Sequence, residues 1–200
     1  MKKMMGAAAL TALLAITGCA QQEASTPKAP VVESAAADSS STSAPSPTAS
    51  RSERGNVVKT LGEGAGVTAN NGDALVEFSV NAIEIDPGCT SEYATPPENG
   101  HFIVLDVAMQ TFPELADATE IASSYSLSPH DMKVVAPNGT TSNASLATGS
   151  AYMCLANGEQ FPSSLGPAEK AQGKIVLDSE VPSGVLVIGN YGAGGWEYSF

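Results

Sequence analysis

The chain has 200 residues, with 21 acidic against nine basic side chains, a formal charge of −12 and a pI near 4.4. From Thr60 onward the excess sharpens, because three lysines (Lys133, Lys170 and Lys174) stand against 17 carboxylates, a formal −14. That balance argues against nucleic acid, whose phosphates need clustered lysine and arginine, and against adsorption of this part to an anionic membrane surface.

Residues 1–18 read as a secretory signal. Lys2 and Lys3 give a basic start, Gly6 to Ile16 form a short apolar run, and Thr17 and Gly18 are small residues just before Cys19. The run falls short of the ~20 apolar residues that a membrane-spanning helix needs. The tetrapeptide "ITGC" resembles a bacterial lipobox. The resemblance implies cleavage before Cys19 and a diacylglyceryl group on its sulfur. Acyl chains contribute ~0.8 kcal/mol per buried CH₂, so the two or three chains of such a lipoprotein hold it where one would not.

Residues 19–59 follow as the lipidated N-terminus and linker. Up to about Ser52 the composition is Ala, Ser, Thr, Pro and Gln with scattered charge and no aromatic residue. Such a stretch cannot bury enough apolar surface to offset its ordering entropy and is expected to be disordered. At about 35 residues it has an r.m.s. span of ~30–35 Å, enough to lift a folded domain off a membrane.

Residues 60–200 are long enough for one domain with its own core. "ALVEFSVNAIEI" alternates with a period of two, and its phase slips near Ala82, where a β-bulge is expected. A Pro- and Gly-rich loop covers residues 87–100. "HFIVLDVAMQTF" is apolar on both faces and reads as a central strand. Pro137-Asn138-Gly139 signals a turn. Shorter strand-like runs follow at 151–156, 174–177, 185–189 and 195–200. A turn of helix is expected within "FPELADATEIASS" and another within "AEKAQGK". Seven or eight short strands without βαβ alternation predict an antiparallel β-sandwich.

Beyond Cys19 there are two cysteines, Cys89 and Cys154. In an exported chain two such cysteines are expected to pair.

The order and spacing of "ALVEFSVNAIEI", the loop to Gly100, "HFIVLDVAM", "GKIVLDSEVP" and the closing "GWEYSF" resemble a known family. These are the extracytoplasmic immunoglobulin-like lipoproteins grouped as domain of unknown function 4352, related in fold to a small secreted mycobacterial immunoprotective antigen. The chain departs from the family pattern at Gln110-Thr111, where an asparagine is usual, and at "SPHDMKVVAPNG", where an Asp-Gly turn is usual. The resemblance implies no catalytic residues.

Hydrolytic chemistry would need a nucleophile beside His101 or His130, and no GxSxG stretch is present. Carboxylate pairs such as Glu84/Asp86 and Asp117/Glu120 discriminate little in so acidic a chain. Calcium would need several convergent oxygens, and copper would draw on His101, His130, Met109, Met132 and Met153, whose methionines fall on strand-like runs. Trp196, Tyr198 and Phe200 alternate with Glu197 and Ser199 and are expected to face the core.

The sequence thus predicts a non-enzymatic binding module at the outer face of the cell membrane. It would be anchored through Cys19 and use no cofactor, with a cell-envelope protein or glycan as partner and no nucleic acid. The 87–100 loop is the expected contact surface. The competing expectation is an extracytoplasmic carrier of a metal ion or small ligand.

Overall fold

A computed structural model describes residues 50–119, 121–189 and 194–200. Residues 1–18, Cys19, the linker up to residue 49 and Glu120 lie outside the described residues. The fold is the expected immunoglobulin-like sandwich of two four-stranded sheets. One sheet has the order β1 (Val57–Val58), β8 (Gly195–Ser199), β7 (Val185–Gly189), β5 (Met132–Val135). The other has the order β2 (Ala65–Thr68), β3 (Ala74–Ile85), β4 (His101–Thr111), β6 (Lys170–Ser179). Pairing is antiparallel except between β1 and β8, which run parallel.

Alternation in β3 and β4 sets the layers. Val76, Phe78 and Val80 from β3, with Ile103, Leu105, Val107 and Met109 from β4, point inward against Leu186, Ile188, Trp196 and Tyr198 of the facing sheet. Phe78 and Trp196 meet edge to face, with ring centroids 4.9 Å apart. Such a pair adds about 0.5–1.5 kcal/mol beyond its area burial. The expected bulge is present: the β3–β4 register shifts between Val80 and Ala82, leaving Asn81 as the extra residue. β4 lies between β3 and β6, and both of its faces are apolar over much of its length because the opposite sheet covers one and residues 151–155 cover part of the other. The Pro137-Asn138-Gly139 turn also forms, with Gly139 N donating to Ala136 O at 2.8 Å.

Four local expectations are corrected. Residues 151–156 are not a strand: Gly149–Met153 form one turn of helix, α1, with the Thr148 hydroxyl accepting from Ala151 N at its N-terminus. "AEKAQGK" is not helical, because Lys170 already opens β6 and its pairing with Gln110 of β4. Glu197 is buried at 3 % exposure instead of facing solvent. The fold also begins before residue 60. β1 pairs with β8, and Arg54 and Asn56 bond Glu197, so residues given to the linker on composition are held by the sheet.

Candidate functional site

The outer face of the β2–β3–β4–β6 sheet is divided. Toward one end it carries Glu77, Ser79, Gln110 and Gln172. Toward the other it carries Phe102, Val104 and Val176, too apolar to face water. Burial of those three side chains requires a cover. Ala151, Cys154 and Leu155, in and just after α1, supply it and form a second, smaller core.

The cover is bonded to the 87–100 loop. Cys89 and Cys154 form the expected disulfide, with Cα atoms 4.7 Å apart. The Thr90 and Ser91 N–H groups donate to Cys154 O at 2.9 and 3.1 Å. The Thr95 hydroxyl donates to Ser150 Oγ at 3.0 Å, and the Glu98 carboxylate accepts from Ser150 N at 3.2 Å. At the loop's end, the fully buried Asp178 carboxylate of β6 accepts from Glu98 N at 2.7 Å and Asn99 N at 2.9 Å. It also accepts from the Thr148 hydroxyl at 2.7 Å. One buried anion therefore fixes both the loop and the residue that caps α1, with charge-assisted bonds stronger than neutral ones.

At the loop's start, Asp86 adopts φ 50°, a left-handed conformation that aspartate tolerates better than most residues. Its Oδ1 accepts from Phe102 N at 2.8 Å and its Oδ2 lies 2.8 Å from His101 Nδ1. The hydrogen bond to His101 holds the Asp86 carboxyl below its ordinary range; partial desolvation opposes this and the Phe102 N–H adds to it. The loop is thus tied at both ends and at its middle.

Three large side chains project from this bonded unit: Tyr93, 70 % exposed, Tyr152, 51 % exposed, and Met153, 41 % exposed. Aromatic side chains and methionine are enriched in protein contact surfaces, and here their backbones are already ordered. The Tyr152 hydroxyl lies 3.4 Å from His130 Nε2. Neither imidazole is hydrogen-bonded to a serine or free thiol among the described residues. No group of three His, Cys, Asp or Glu side chains converges among them in a way that could hold a metal ion.

Beside α1 lies a cavity of about 340 Å³, bounded by Tyr152, Leu155, Phe161, Val176 and Lys174. It lies at the edge of β6 away from β4. Residues 159–161 run along that edge, with Lys174 N donating to Glu159 O and Phe161 N to Lys174 O, each at 2.8 Å. Gly173 permits this approach, since a Cβ there would lie 2.9 Å from Phe161 N and Cα. The loop and both cysteines were legible in the sequence. The projection of Tyr152 and Met153 was not, because the 151–156 run was read as a strand.

These features define a β-sandwich whose outer face carries a disulfide-stapled loop and helical turn. No family model matches the chain, and no curated protein matches it. Among solved structures the chain is similar to a secreted protein from Mycobacterium tuberculosis, MPT63. The TM-score is 0.43 at 14 % identity, over 72 % of this chain and 98 % of that one.

Proposed function

We propose that the protein is a lipid-anchored, extracytoplasmic, non-enzymatic binding module that uses the unit formed by the 87–100 loop and α1 to contact a protein or glycan of the cell envelope. It belongs, on this reading, with the immunoglobulin-like lipoproteins that its strand order resembles. The observation that carries the proposal is the exposure of Tyr93, Tyr152 and Met153 on a segment whose backbone is fixed by a disulfide and by Asp178. Ordering a contact loop in advance removes an entropy cost from binding. The disulfide fits an oxidising compartment, in line with the signal and lipobox pattern. No helix among the described residues is long and apolar enough to cross a membrane, so attachment in this reading rests on Cys19.

The test is photo-crosslinking in cells. A crosslinking amino acid at Tyr93 or Tyr152 gives a discrete adduct, and one at Lys133, on the outer face of the opposite sheet, gives none. Equal labelling at all three positions, or none at any, removes the reading. A second reading, carriage of a small ligand, is favoured by one observation: the cavity beside Lys174 has no carboxylate in its lining.

A further inference from the structure

We infer that the cavity between α1 and the edge of β6 binds a small molecule with an apolar body and one carboxylate, with Lys174 as its counter-ion. The inference rests on the carrier reading and names the ligand class.

Charge distribution points there first. The domain from Thr60 carries 17 carboxylates and three lysines, yet every acidic residue is missing from the cavity wall while Lys174 is part of it. Lys174 also lacks the partner its strand position offers. Asp106 stands opposite it in the β4–β6 register, but no ion pair forms within 4 Å among the described residues. Asp106 instead accepts from Asn81 Nδ2 at 3.2 Å. A lysine of intermediate exposure with no anionic partner within 4 Å among the described residues leaves its charge available to an anionic ligand.

Ser128, Gln160 and Ser163 add neutral polar groups to the wall, and its apolar part is held in place. Leu127, Leu155, Phe161, Ile175 and Val176 line it. Gln160 donates through Nε2 to Leu155 O at 2.8 Å, tying the edge segment to the chain just after α1, while Cys154 fixes Leu155 from the other side. About 340 Å³ is roughly twice the ~150 Å³ cavity that accepts a benzene ring, so a two-ring aromatic acid or a medium-length alkyl acid fits.

The experiment titrates the purified full chain with 2-naphthoate and, separately, with its neutral isostere 2-naphthamide. Affinity is read by calorimetry and location by backbone amide NMR. The expected result is saturable binding of the acid with shifts centred on Tyr152, Phe161 and Lys174. The amide binds at least about tenfold more weakly, a difference of about 1.4 kcal/mol. Lys174→Gln brings the acid down to the affinity of the amide and leaves the amide unchanged, whereas Lys174→Arg retains the preference. Equal affinity for acid and amide overturns the carboxylate assignment and leaves the carrier reading standing. Shifts centred elsewhere overturn the site. Absence of binding by either compound at millimolar concentration overturns the carrier reading and this inference with it.

Discussion

Arg54 and Glu197 stand 143 positions apart and meet in a two-pronged ion pair, with Nε and Nη2 each 2.7 Å from a carboxylate oxygen. Asn56 Nδ2 adds a third donor at 2.8 Å. The pair closes the outer face of β8 over the segment that leads into β1. It turns residues that composition assigns to a linker into part of the sheet.

This pair gives stability an acid limb. The Arg54 guanidinium, opposed by burial and helped by Asn56, holds the Glu197 carboxyl down at about 2, against an ordinary 4.5. A carboxyl depressed by folding stabilises the protein fully above its unfolded value and loses that contribution as pH falls toward the folded value. Glu197→Gln is expected to cost about 1–3 kcal/mol at neutral pH, as for hydrogen bonds to a buried charge. In urea unfolding the gap between parent and variant stays constant down to about pH 4.5, then narrows toward pH 2. A gap that persists unchanged at pH 2 would show that the ion pair does not stabilise the fold.

Asp178 anchors the contact loop through three donors. Asp178→Asn places an amide group among N–H donors and removes the charge, at an expected cost of about 2–4 kcal/mol. Hydrogen exchange locates the damage: the Glu98 and Asn99 amides lose protection far more than the amides of β3 and β4. Uniform loss throughout the sandwich would instead make Asp178 a determinant of the whole fold.

The Cys89–Cys154 bridge spans a sequence separation of 65. Closing a loop of that length stabilises by about 4 kcal/mol in the chain-entropy model. The doubly substituted Cys89→Ala/Cys154→Ala protein is expected to unfold at markedly lower denaturant and still to form the sandwich, because the main core lies between the sheets and the bridge lies outside them. Near-ultraviolet circular dichroism follows this through Trp196, packed on Phe78 in that core. Loss of the signal at zero denaturant would mean that the sandwich depends on its cover.

Cys19→Ala tests the anchor. The variant is expected to leave the membrane fraction or to accumulate as uncleaved precursor, read by fractionation and intact mass. If it partitions and matures like the parent, the lipobox reading fails.

The sequence by itself determined the strand pattern, the bulge after Val80, the central place of β4, the Pro137-Asn138-Gly139 turn and the pairing of Cys89 with Cys154. Each depends on local alternation, on backbone chemistry at a turn, or on two cysteines with one partner each. Only the tertiary structure decided which polar residues are interior. Alternation put Glu197 on an outward face correctly, and Asp178 of β6 faces outward as well, but a strand's period says nothing about what later covers that face. Arg54 and the 87–100 loop cover them from positions distant in sequence. For the same reason "AYMCLA" looked like a strand in isolation. Its Ala151, Cys154 and Leu155 roof Phe102, Val104 and Val176 while Tyr152 and Met153 project outward, and the Thr148 cap and the disulfide accompany the helical turn that does so.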